Sequence, residues 1–166
     1  TEPLHTGGPY EMTVTDGKTT LHLTDILAGE VWIASGQSNM EFPLRDATNS
    51  SGDIAACSDS QLRIYDMKTI ARTDNVLWAD SIIKATNRLE HYTETRWAAV
   101  EPENARNFSA VAYYFARQLR DSLQVPVGII CNAVGGSTCE SWIDITTLED
   151  KMPEALLNWR RNDYLQ

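Results

Sequence analysis

The sequence contains no apolar run approaching about 18 residues, so no segment reads as a membrane-spanning helix. Basic residues are also in short supply: 14 Lys+Arg stand against 23 Asp+Glu, a formal net charge of −9. That balance argues against nucleic acid or an anionic membrane as the main partner, because neutralising phosphate requires a basic face. Cysteine is limited to Cys57, Cys131 and Cys139, with no C-x-x-C pair. A disulfide scaffold and a thiolate zinc cage both lack ligands, and no metal or other cofactor is implied. The opening, Thr1-Glu2-Pro3, is polar and has no Met. It suggests a processed or trimmed polypeptide rather than a signal peptide.

What is present is ordinary for a globular chain: 166 residues, 42% hydrophobic and 22% charged. That is enough for one domain with a sizeable core, or for the larger part of a truncated one. Tyr10 to Leu27 reads as a β-hairpin, with Tyr10, Met12 and Val14 alternating, Asp16-Gly17 at the turn, and Leu21 and Leu23 resuming the alternation. A lone hairpin is marginal in water, so this one is expected to finish a sheet that begins upstream. Val31-Trp32-Ile33-Ala34, ending at Gly36, predicts a strand buried on both faces. A helix-like stretch around Ile54 to Cys57 and a strand over Leu62 to Met67 follow. Ile70 to Pro102 is polar and reads as a long excursion containing a β-ribbon. Ser109 predicts an N-cap for a helix in which Val111, Tyr114, Phe115, Gln118 and Leu119 recur at helical spacing. Val127 to Cys131 is the next buried strand, and Pro153 to Asn162 a final amphipathic helix with Pro in its first turn. Strand, helix, strand in this order indicates an α/β parallel sheet.

Ligands of such sheets collect at the carboxyl ends of the strands, and two segments place unusual residues there. In Ser35-Gly36-Gln37-Ser38-Asn39-Met40, a serine on the turn after a buried strand can serve as nucleophile if a base removes its proton; its competing use is to cap the next helix. In Asn132-Ala133-Val134-Gly135-Gly136-Ser137-Thr138, paired glycines let backbone amides approach a ligand, as an oxyanion hole requires. An ordinary tight turn is the alternative. Neither phosphate-binding glycine motif can be written here, and the G-x-S-x-G elbow fails because Met40 stands where its last glycine belongs. The candidate bases are His5, His22 and His91, none of which follows a third parallel strand. A serine without a base stays protonated, so the site as read is incomplete.

Val31-Trp32-Ile33-Ala34-Ser35-Gly36-Gln37-Ser38-Asn39-Met40-Glu41 resembles the first block of the sialate O-acetylesterase family, SGNH-type carbohydrate esterases that include acetylxylan esterase relatives. The likeness continues through Asn107 to Phe115, Val125 to Ile130, and Gly135-Gly136-Ser137-Thr138-Cys139-Glu140-Ser141-Trp142. Gly7-Gly8-Pro9-Tyr10 resembles the end of the family's preceding β-domain; Ile70 to Arg96 is the least similar stretch. The resemblance implies a three-layer, flavodoxin-like α/β sheet, incomplete at the C-terminus, with residues 1–28 ending an N-terminal β-domain and 29–166 beginning the esterase domain. It implies Ser38 as nucleophile, an oxyanion hole from the amides of Ser38 and Gly135 or Gly136, and substrate contacts from Gln37, Asn39, Glu140 and Trp142. The implied substrate is an acetylated carbohydrate, and the implied setting secreted, periplasmic or lysosomal. The family's Gln-Gly-Glu block and its Asp-x-x-His block are not found, so the expected partner is a C-terminal portion of the same enzyme. Alone, the chain is expected to be nearly inactive. Two other readings stay open: a non-catalytic carbohydrate-binding module whose tryptophans stack on sugars, and a phosphate-recognising hydrolase, which the acidic balance disfavours.

Overall fold

The computed structural model describes residues 3–71 and 77–161. Strands β1 (Gly7–Thr15) and β2 (Thr20–Ala28) pair antiparallel as a sheet of their own. Asp16 closes the turn, its Oδ1 accepting from the amides of Lys18 at 2.8 Å and Thr19 at 2.6 Å. The alternation read from sequence holds, with Met12 opposite Leu23 and Val14 opposite Leu21. All four side chains are exposed.

The rest is built on a second sheet. Strand β3 (Glu30–Gly36) leads to the one-turn helix α1 (Ser38–Glu41), then helix α2 (Ser50–Ala56) and strand β4 (Asp59–Met67). Helix α3 (Asp80–Asn87), strand β5 (Ala98–Val100) and helix α4 (Pro102–Ala105) precede the long helix α5 (Ala110–Leu123). Strand β6 (Val127–Ala133), a 3-10 turn at Cys139–Trp142, and helices α6 (Ile145–Lys151) and α7 (Pro153–Arg161) complete the order. The sheet runs β3-β6-β4-β5, parallel between β3, β6 and β4, with β5 antiparallel at the edge. The α/β class read from sequence stands, in a sheet of mixed direction.

The core lies on one face. Val127, Ile129, Cys131 and Ala133 of β6 alternate inward with Leu62 and Ile64 of β4. Helix α5 packs across both strands. Ser109 caps it as expected, its Oγ accepting from the Ala112 amide at 3.1 Å while fully buried. The face α5 buries is not the one its large residues suggest. Ala110, Ala112, Tyr113 and Ala116 are buried, whereas Val111 and Phe115 are exposed. Alanines let the helix lie close to the sheet, and Phe115 instead meets Trp32 edge-on at 5.3 Å. Trp32 is therefore a half-covered surface residue rather than core, with 43% of it exposed.

Two other expectations change. Strand β3 is not buried on both faces: Val31 and Ile33 are 63% and 68% exposed, because no described element covers that side of the strand. Further along this face, Trp97 lies against Gly128 and Tyr65, its ring 5.3 Å from the tyrosine's. The excursion from Ile70 to Pro102 forms helix α3 and the short edge strand β5, which pairs antiparallel with β4, rather than a β-ribbon of its own; a single bridge, Thr69–Tyr92, ties its middle back to the end of β4. The last helix begins at Pro153 as expected, and a further helix, α6, precedes it. Asn162, where the sequence reading ended the last one, and the side chain of Trp159 lie outside the described residues.

Candidate active site

Register brings the two singled-out segments together. Strands β3 and β6 are adjacent and parallel, pairing Ser35 with Asn132 and Gly36 with Ala133, so both loops leave the sheet side by side at its carboxyl edge. The Val134 amide donates to the Gly36 carbonyl at 2.9 Å, carrying the pairing one step beyond the strands.

Ser38 is the first residue of α1, and Gln37 occupies the cap position without a side-chain capping bond. The serine hydroxyl is exposed and, among the described residues, donates to Gln37 Oε1, at 3.3 Å. Capping therefore does not explain this serine. Asn39 is likewise exposed.

The glycine turn lies directly against α1. A Cβ at Gly135 would sit 3.9 Å from the Ser38 Cα and 2.6 Å from Glu41 Oε2. That carboxylate oxygen accepts the Gly135 amide at 2.7 Å. Gly136 is exposed with φ of 79°, a conformation that favours glycine. Beyond it, the Trp142 indole donates from Nε1 to Ser137 Oγ at 3.0 Å, fastening the tryptophan to the turn. Glu140 is held below the usual carboxylate range by its own backbone amide and then by the Thr138 hydroxyl.

Acidic groups cluster beneath these loops. Asp66 stands in register with Cys131. Burial raises the Asp66 carboxyl, Lys68 at 3.2 Å opposes that, and the charge of Glu41 adds to it. Burial, with Asp66 beside it, pushes the Cys131 thiol up to about 11. Cys131 is thus an inert core residue, as its apolar setting in the sequence indicated.

Sequence reasoning assigned no role to Glu41, Asn132 or Tyr92. Tyr92 comes from the excursion, and its hydroxyl donates to Asn132 Oδ1 at 2.8 Å, placing that segment beside the glycine turn. No pattern in the sequence signals that contact; for Glu41, its place three residues after Ser38 on a helix was a usable signal. Among the described residues no histidine hydrogen-bonds the Ser38 hydroxyl. His22 Nδ1 lies 3.0 Å from Thr13 Oγ1 in the hairpin, and His91 offers its carbonyl to Ile70. No group of three or more His, Cys, Asp or Glu among the described residues has a metal-holding arrangement. No described helix is long and apolar enough to cross a membrane. A separate cleft of about 460 Å³, bordered by Asp25, Arg63 and Trp97, opens at the amino ends of the strands. It lies at the wrong edge of the sheet to belong to this site.

Ser38 and the Gly135-Gly136 turn thus stand side by side at the carboxyl edge of the parallel strands of an α/β sheet. A carbohydrate acetylesterase from Xanthomonas citri, known from its crystal structure, superposes with a TM-score of 0.70 at 37% identity, over 90% of this chain and 32% of its own. The chain is a homologue of the sialate O-acetylesterases. It is 30% identical to the mouse protein over 160 residues and 30% identical to the human one over 152, covering 89% and 85% of this chain. It spans 27% of the length of each of those relatives. No family model matches it.

Proposed function

We propose that this chain supplies the nucleophile and part of the oxyanion hole of a carbohydrate O-acetylesterase. The observation that carries the reading is the exposed Ser38 hydroxyl, free of any capping role and set against the Gly135-Gly136 turn. Ser38 Oγ attacks the acetyl carbonyl while a base takes its proton, giving a tetrahedral oxyanion held by backbone amides. Collapse expels the sugar alkoxide, which is protonated by the conjugate acid of that base. Water, deprotonated by the same base, then cleaves the acetyl-enzyme to acetate. Gln37 and Asn39 flank Ser38 in the chain and Trp142 is fastened to the glycine turn through Ser137; with Glu140 they are assigned to sugar binding, the indole as a stacking surface.

The base and its orienting carboxylate are assigned to a C-terminal portion of the same enzyme, as the family resemblance implies. The uncovered Val31 and Ile33 face of β3 supports such a partner, since parallel sheets are normally covered on both sides. The same resemblance assigns the enzyme to a secreted, periplasmic or lysosomal setting.

The test is acetate release from an acetylated sugar by the longest natural polypeptide carrying this sequence, wild type against Ser38→Ala. A drop of at least about 10³-fold is expected, the scale on which serine nucleophiles matter. Equal activity of the two proteins refutes the mechanism. Glycan binding by both with no acetate from either assigns a binding module instead.

A further inference from the structure

Glu41 lies one helical turn after Ser38, and its own amide donates to the Gln37 carbonyl at 2.9 Å, so nucleophile and carboxylate share one short rigid element. Its Oε2 takes the Gly135 amide at 2.7 Å, the length of a charge-assisted hydrogen bond. The contact is close enough that a Cβ at position 135 would collide with that oxygen at 2.6 Å. With the Val134 amide bound to the Gly36 carbonyl at 2.9 Å, the serine loop and the glycine turn are joined at two consecutive amides. Among the described residues, no hydrogen bond takes up the next amide, that of Gly136.

We infer that Glu41 is a positioning residue of the acyl-transfer site: by holding the Gly135 amide it sets the gap between nucleophile and glycine turn, and it leaves the Gly136 amide as the turn's donor to the oxyanion. The inference rests on the acyl-transfer reading of Ser38. Its chemistry is simple. An amide already bound to a carboxylate is a poor donor to a second anion, and an oxyanion sharing that amide would be repelled by Glu41. The adjacent amide meets neither obstacle. A misplacement of about 1 Å at a reacting centre costs roughly 10²-fold, and loss of one oxyanion donor roughly 10²–10³-fold. The clamp therefore matters to catalysis without touching substrate.

Glu41→Ala and Glu41→Gln in the longest natural polypeptide carrying this sequence separate the possibilities. Glutamine keeps an acceptor oxygen but no negative charge and no basicity. Glu41→Ala is expected to lower kcat roughly 10²-fold with KM within about threefold, and Glu41→Gln to restore most of it. Amide hydrogen exchange of a peptide covering residues 133–137 should speed up in the alanine variant and stay near wild type in the glutamine variant. Full activity in Glu41→Ala overturns the inference. So does a glutamine variant as impaired as the alanine one, which would mark the charge or a proton transfer as the essential property. Ser38→Ala in the same assay tests the underlying reading: if it stays active, the acyl-transfer mechanism fails, while the exchange measurement still reports whether Glu41 holds the turn.

Discussion

Gly36 and Val134 are joined by a backbone hydrogen bond of 2.9 Å although they stand 98 positions apart in the chain (134 − 36). The bond extends the β3–β6 ladder past its last residues, so the serine loop and the glycine turn move as one piece.

Gly135→Ala tests the junction from the side opposite Glu41. The new methyl meets the flexible tip of the Glu41 side chain rather than backbone, so the carboxylate swings away at little cost to folding. The expected result is a Tm within a few degrees of wild type together with a roughly 10-fold or greater loss of acetate release. A differential scanning measurement beside the acetate assay checks it; equal loss in both would assign the glycine to stability alone.

Ser109→Ala removes a fully buried cap whose hydroxyl takes the Ala112 amide. A destabilisation of about 1–2 kcal/mol is expected, the range for losing such a cap and leaving a donor unpaired. Urea unfolding followed by far-UV circular dichroism measures it.

Asp53 joins α2 to α5, accepting from the Tyr114 hydroxyl at 2.7 Å and from Arg117 at 2.8 Å. These two donors, the tyrosine first, hold its carboxyl below the ordinary value of 3.8. Because the folded-state pKa is depressed, the contribution is complete above the unfolded value and disappears as pH falls through the folded one. Wild type should therefore exceed Asp53→Asn in Tm at pH 6–7, with the gap closing below about pH 4. A gap that persisted unchanged at pH 2 would contradict the assignment.

Cysteine labelling reports the core directly. Cys139 is exposed, while Cys57 and Cys131 are buried. Burial raises both buried thiols, that of Cys131 to about 11. An aromatic disulfide reagent at pH 8 should modify one thiol rapidly in the folded chain and three in denaturant.

The parts legible in sequence were those written in local patterns. The hairpin followed from alternation around Asp16-Gly17, the cap from Ser109, and β6 from an apolar run between Pro126 and the glycines. That the Ser38 and Gly135 segments both lie at the carboxyl edge followed from the rule for strand ends; that their strands are neighbours did not. What escaped depended on distance in space. The sheet-facing side of α5 was misread because its alanines carry little hydrophobic signal, while Val111 and Phe115 carry much. Trp32 looked like core but packs against Phe115 at the surface. Tyr92 reaches Asn132 across 40 residues, and Glu41 reaches Gly135 across 94, and neither contact has a motif.

Strand order also has a consequence for how the chain is made. Among the described residues β3 has β6 as its only neighbour in the sheet, while β4 and β5 find each other much earlier. On a translating ribosome, the Val31-Trp32-Ile33-Ala34 segment emerges with no partner and waits for residues 127–133. At about 5–20 residues per second, that interval is on the order of 5–20 s. Over that time an apolar, β-prone segment is open to holding chaperones or to its counterparts on neighbouring nascent chains. The strand that leads into the Ser38 turn is thus made long before the strand that secures it, so yield in expression will depend more on residues 28–36 than their small share of the core suggests.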